Sequence, residues 1–204
     1  MKEYEENMTL KHITGIILAG GQASRMGGID KGLLNLAGQP LIEHVINRLQ
    51  PQLDQIVISA NRNLSAYSRY CENIVTDSFV DYAGPLAGIL AAMRQVKTDY
   101  ILTVPCDCPF PPLDLAVRMI NQLSTNGTLT GVAHDGTRIQ PLFALLPVSL
   151  SNDLADFLTK GERKAQLWLT RHHYSVVDFS DQPEAFFNVN TPADHLELDK
   201  RARS

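Results

Sequence analysis

Short apolar runs and amphipathic stretches take turns along this chain of 204 residues. Ile16-Ile17-Leu18, then 55–59, 73–75 and 100–104, are brief, rich in β-branched residues and bounded by Gly, Pro, Asn or Asp. Runs of that length and flanking read as strands buried on both faces of a parallel sheet. Between them the period changes. Leu41, Val45, Ile46 and Leu49 share one helical face after the opening Gly38-Gln39-Pro40, and Leu115, Met119, Ile120 and Leu123 share another over 113–123. Shorter helices are expected over 64–70 and 89–96.

The second half adds a different pattern. Segments 128–134 and 139–145 flank the turn Asp135-Gly136-Thr137 and read as a strand pair able to run antiparallel. Helices over 149–159 and 164–171, a strand over 175–179 and a helix opened by Thr191-Pro192 follow, the threonine serving as cap and the proline as first helical residue. Alternation of this kind predicts an α/β fold: a three-layer, mainly parallel, Rossmann-like sheet with an antiparallel addition. Residues 1–12 are polar and acidic and are expected to form a loose tail; 13–204, which no linker-like run divides, are expected to form one domain.

Composition narrows the function classes. Hydrophobic residues make up 44%, enough for a core at this length. The net charge of −4 gives no basic face for nucleic acid, so an anionic ligand must be drawn by local charge. Three cysteines are too few and oddly numbered for a disulfide framework, and the histidines have no zinc-ligand spacing, so a reducing cytoplasm fits. No secretory h-region and no apolar run of about 18 residues is present, so neither export nor membrane spanning is expected.

The chemistry concentrates at strand ends. The first strand runs into Gly20-Gly21 and a loop carrying Arg25, Gly27, Gly28, Asp30 and Lys31. Residues without Cβ let backbone N–H groups face an anion, and a guanidinium with an ammonium suits a chain of phosphates. The plainer alternative is a glycine-rich surface turn. Neither G-x-x-x-x-G-K-[ST] nor G-x-G-x-x-G can be written here, so P-loop and dinucleotide chemistry are excluded. Asp107 leaves the strand at 100–104 between Pro105 and Pro109, a place suited to holding Mg2+ with one carboxylate while substrate phosphates and waters complete the shell; the alternative is a turn aspartate. Asp77 follows the strand at 73–75 and has the same alternative. Asn188 and Asn190 face either a polar ligand or the helix start at Thr191. Arg163, in Gly161-Glu162-Arg163-Lys164, either meets an anionic ligand or points to solvent.

LAGGQASRMGGIDKGLL resembles the signature loop of molybdenum cofactor guanylyltransferases, within the wider nucleotidyltransferases. DYAGPLAGIL, VPCDCPF and FNVNTPADH continue the likeness over nearly the whole chain. The resemblance implies a fold of the nucleotide-diphospho-sugar transferase type and transfer of GMP from GTP to molybdenum-molybdopterin. By position it implies GTP contacts from Leu18, Ala19, Gly20, Gly21, Lys31, Ser59, Asn61, Asp77 and Asp107, catalysis by Arg25, Lys31 and Asp107, and metal on Asp107. It places molybdopterin near Asn188, Asn190 and Arg163, and implies cofactor-delivery proteins and molybdoenzyme chaperones as further partners. Family members often carry asparagine where Ser59 stands, so Asn61 is the expected substitute in reading the base.

Four alternatives share parts of this pattern. A cytidylyltransferase acting on the same cofactor and a sugar-phosphate nucleotidyltransferase would have the same fold; the latter typically has proline before its lysine, where Asp30 stands. A signalling receiver would bring paired acids from the first strand end, not Gly-Gly. A non-catalytic carrier would hold the cofactor without releasing pyrophosphate.

Overall fold

The computed structural model describes residues 12–20, 30–77 and 84–202. Strand β1 (Ile13–Leu18) is buried at all of its positions because both of its faces are covered. Successive side chains of a strand point to opposite sides; Ile13 and Ile17 enter one apolar core, while Ile16 and Leu18 enter another. That division explains why the run carries no polar alternation.

Among the described residues the main sheet has seven strands. Their order is β5 (Ile74–Val75), β4 (Gln55–Ser59), β1, β6 (Tyr100–Pro105), β8 (Ile139–Pro147), β7 (Thr130–His134) and β9 (Tyr174–Asp178). The first four are mutually parallel, β8 runs antiparallel to both β6 and β7, and β9 lies parallel to β7. The sheet is therefore the mainly parallel one expected, with its antiparallel addition formed by β8. At the β7–β8 turn, Asp135 Oδ1 accepts the N–H groups of Thr137 and Arg138 at 2.8 and 2.9 Å, the local bonding that makes aspartate a turn residue.

Helices α1 (Leu41–Leu49) and α4 (Leu115–Asn126) cover the Ile17 side through Ile42, Val45, Leu49, Leu115, Met119 and Leu123. Helices α3 (Pro85–Gln95), α5 (Ser151–Thr159) and α6 (Ala165–Leu169) cover the Ile16 side. Helix α3 begins four residues before the expected 89, since Pro85 at its first position fixes a helical φ and needs no N–H partner. A short helix, α2 (Leu64–Tyr67), sends Tyr67 into the Ile17-side core. Helix α7 (Pro192–Ala202) starts with reciprocal caps: the Asp194 N–H donates to Thr191 Oγ1 at 3.1 Å, and the Thr191 N–H donates to Asp194 Oδ2 at 2.8 Å. None of the described helices is long and apolar enough to cross a membrane.

A small hairpin of β2 (Asn35–Leu36) and β3 (Gln39–Pro40) stands apart from the main sheet. It is tied to α7 by the Ala37 N–H on Asp199 Oδ1 at 2.7 Å and by His195 Nε2 against the Asn35 carbonyl at 2.6 Å.

The connectivity fixes where a ligand can sit. From β1 the chain crosses the Ile17 face through α1 to reach β4 on one flank. From β5 it crosses the opposite face through α3 to reach β6 on the other flank. The carboxyl ends of β1 and β6 therefore form the crevice where the winding reverses, which is where open α/β sheets bind ligands.

Candidate active site

Leu18 and Pro105 are register partners at the ends of β1 and β6, so the segments that follow leave from the same rim. The Cys106 N–H donates to the Leu18 carbonyl at 3.1 Å, and the Ala19 N–H donates to the Ser59 carbonyl at 2.8 Å. These bonds carry the sheet one residue beyond the strands and hold the rim rigid. Above it opens a cleft of about 660 Å³, including space shared with solvent, bordered by Leu18, Ala19, Gly20, Lys31, Arg62 and Asp107 among others.

Three segments distant in sequence converge on one ammonium. Lys31 begins a single 3-10 turn, Lys31–Leu33, and its Nζ lies 3.0 Å from Asp107 Oδ2 and 2.6 Å from Asn190 Oδ1. Both members of the ion pair are mostly covered, with 24% and 21% of their side chains exposed, so water screens them less than a surface pair. Asp107 is half-buried and its second oxygen accepts no hydrogen bond from the described side chains. Among the described residues no group of three or more His, Cys, Asp and Glu is placed to form an all-protein metal cage. One carboxylate on the border of a solvent-connected cleft is the donor set suited to a divalent ion that keeps waters and shares substrate oxygens.

The two expected asparagines divide their work. The Val189 N–H donates to the Asp107 carbonyl at 2.8 Å, which fastens the 188–190 segment to the proline-flanked loop. Asn190 then faces Lys31, whereas Asn188 Oδ1 accepts the Cys108 thiol. Neither side chain is needed as a cap, since Thr191 fills that role. Burial, reinforced by the neighbouring Asp107 charge, pushes the Cys106 and Cys108 thiols well above their usual range. Protonated thiols are poor nucleophiles, so these cysteines serve packing and hydrogen bonding.

Ser59, Asn61, Asp77 and Arg163, also expected at the site, are not among the residues that border the cleft. Asn61 and Asp77 bind each other reciprocally: Asn61 Nδ2 donates to Asp77 Oδ2 at 2.5 Å, and the Asp77 N–H donates to Asn61 Oδ1 at 3.0 Å. Ser59 is 5% exposed and its hydroxyl faces Gly88 within α3. Arg163 Nη1 donates to the Leu158 and Glu162 carbonyls, each at 2.7 Å, so this guanidinium closes the carboxyl end of α5. Its own carbonyl still sits beside the start of α3, 4.0 Å from where a side chain on Gly84 would begin. Arg25 and Gly21, with Gly27 and Gly28, fall outside the described residues, as do residues 81–83 of the second loop and most of the expected N-terminal tail.

Gly88 lacks a side chain for a packing reason. A Cβ there would collide with Ser59 Oγ and lie 3.3 Å from Ser59 Cβ. Gly88→Ala is expected to destabilise the fold by about 1–3 kcal/mol, as overpacking does. Urea unfolding measures this, and adding Ser59→Ala should recover part of the loss.

Two charged residues on the cleft border were not expected as site residues, Arg62 and the buried Asp30. Arg62 follows Asn61 with only its charge as a signal; Asp30 sits beside Lys31, where an acid reads as a solvated loop charge.

A family model described as the MobA-like NTP transferase domain matches residues 15–176. A molybdenum cofactor guanylyltransferase from Shewanella piezotolerans is 50% identical over 186 residues, 91% of each chain. Its namesake from Shewanella halifaxensis is 48% identical over 186 residues, 91% of this chain and 93% of the relative. Among solved structures, molybdopterin-guanine dinucleotide biosynthesis protein A from Archaeoglobus fulgidus superposes with a TM-score of 0.77 at 24% identity, over 93% of this chain and 98% of that one, a likeness of fold. With its crevice at the reversal of the sheet and relatives matched over nearly its full length, the chain belongs to the MobA-like nucleotidyltransferases, among the molybdenum cofactor guanylyltransferases.

Proposed function

We propose that the cleft binds GTP with Mg2+ and transfers GMP to the terminal phosphate of molybdenum-molybdopterin, yielding molybdopterin guanine dinucleotide and pyrophosphate. The observation that carries this reading is the meeting of Lys31, Asp107 and Asn190 at the β1–β6 rim. The relatives' names support the guanylyl group and the acceptor. Three free thiols suit the reducing cytoplasm in which the enzyme would work.

A phosphate monoester with a second pKa near ~6 is largely dianionic at neutral pH. It attacks the α-phosphorus without a general base, and none of the described residues bordering the cleft is histidine. One bond forms from an acceptor oxygen to the α-phosphorus. The bond from that phosphorus to the bridging oxygen breaks, and the electron pair leaves with pyrophosphate. Asp107 would hold Mg2+, which when bound neutralises phosphate charge and orients oxygens. Lys31 brings its ammonium to the departing phosphates, with Arg25 as the second expected cation. The backbone N–H of Gly20 donates to phosphate oxygens, with Gly21 the second donor expected from the sequence. Ser59, Asn61 and Asp77 form the nucleoside side, and Asn188, Asn190 and Arg163 the acceptor side. Catalysis then consists of positioning and charge neutralisation.

The test is mass spectrometry of the product from GTP and molybdopterin, with CTP and a sugar phosphate as competitors. The guanine dinucleotide with equimolar pyrophosphate is expected. A cytosine product, a nucleotide sugar, or binding without pyrophosphate would each replace this reading with the corresponding alternative.

A further inference from the structure

Asp30 stands directly before Lys31 yet is only 6% exposed. Its two oxygens are taken by neutral donors: the Tyr67 hydroxyl donates to Oδ1 at 2.5 Å and Asn63 Nδ2 donates to Oδ2 at 3.0 Å. Arg62 Nε approaches the same Oδ2 at 3.9 Å. Burial is the largest influence raising the Tyr67 hydroxyl far above its usual range, so it remains a donor. The Asp30 side chain does not cap the turn it precedes; its carbonyl receives the Leu33 N–H at 3.1 Å.

Tyr67 grips the chain on both sides of Lys31. Its hydroxyl holds Asp30, and the same group lies 2.5 Å from where a Cβ on Gly32 would be, with ring carbons at 3.2 Å. A lysine stem is flexible, so where its ammonium can reach depends on where the Cα is pinned. The choice of donors matters as well. A buried carboxylate without partners draws the nearest cation, because leaving it unsatisfied is costly. With a donor from Tyr67 or Asn63 on each oxygen and the Arg62 guanidinium 3.9 Å from one of them, Asp30 is satisfied without the neighbouring ammonium, which meets Asp107 and Asn190 instead.

We propose that Asp30, clamped by Tyr67 and Asn63, is a positioning residue that aims Lys31 into the nucleotide cleft. This rests on the functional reading of Lys31 given above.

The test is a double-mutant cycle of Tyr67→Phe with Lys31→Ala, read as kcat for pyrophosphate release, with melting temperatures recorded for all forms. Tyr67→Phe keeps the ring and removes one hydrogen bond; it is expected to lower kcat by roughly tenfold or more, as a small misplacement of a reacting group does. In the Lys31→Ala background it should change kcat by less than about twofold, the non-additivity of residues acting through one another. Asn63→Gly is the second arm. Asn63 has a left-handed backbone, φ 52°, which glycine accepts freely, so this change removes the side-chain donor alone and should repeat the pattern even if Tyr67→Phe fails to fold. Equal losses in both backgrounds, or no loss in the wild type, would overturn the inference while leaving Lys31's role intact. If Lys31→Ala alone leaves kcat unchanged, the functional reading falls and the inference with it.

Discussion

Asp107→Ala is expected to lower turnover on the order of 10²-fold or more, the usual cost of losing one preorganised electrostatic group. The position explains the size. Asp107 is the acidic side chain that meets Lys31 in the cleft, and its loss removes the proposed metal ligand and one of two polar contacts that fix the ammonium. Asn188 and Asn190 stay tethered through the Val189 N–H, which bonds the Asp107 main chain. The variant should therefore fold, and its defect should be chemical. Initial rates of pyrophosphate release across a magnesium series check this: the variant should need more metal and reach a lower plateau. A wild-type metal response would remove Asp107 from its assigned role.

Lys31→Ala should cost on the order of 10²–10³-fold in kcat/KM. The substitution does two kinds of damage. It deletes a cation needed where two anions must approach, and it leaves the partly buried Asp107 carboxylate without its counter-ion beside the phosphates. Lys31→Arg should restore only a small part of the rate. The contacts at 3.0 and 2.6 Å fit a compact ammonium received by two separate side chains, whereas a guanidinium is planar and wider. Steady-state kinetics with GTP varied at saturating acceptor measure both variants.

The parts of this site that can be read in the sequence are those with local punctuation. Prolines on both sides of Asp107 mark a strand end that cannot continue regular pairing, and the structure puts that carboxylate at the crevice. Leu18-Ala19-Gly20 marks the other side for the same reason. Thr191-Pro192 announces α7, and its caps are observed. What stays hidden depends on partners far along the chain. Asp30 looks like a loop acid until Tyr67, 37 positions later, closes on it. Cys108 looks like a spare thiol until Asn188, 80 positions later, accepts a hydrogen bond from it. Gly88 looks like a helix start, but α3 already begins at Pro85, and Gly88 lacks a side chain because Ser59 fills the space one would need. The guanidinium of Arg163 turns to the end of α5, where it donates to the Glu162 carbonyl and to the Leu158 carbonyl, which also accepts the Gly161 N–H at 3.0 Å, and nothing in the local sequence announces that choice.

The most direct measurement is a crystal structure of the enzyme with Mg2+ and a GTP analogue whose α–β bridge resists cleavage. The account predicts the triphosphate in the β1–β6 crevice, its oxygens within hydrogen-bond reach of Lys31 Nζ and the metal on Asp107. A nucleotide bound away from that rim, with the pair from Lys31 to Asp107 undisturbed, would contradict it.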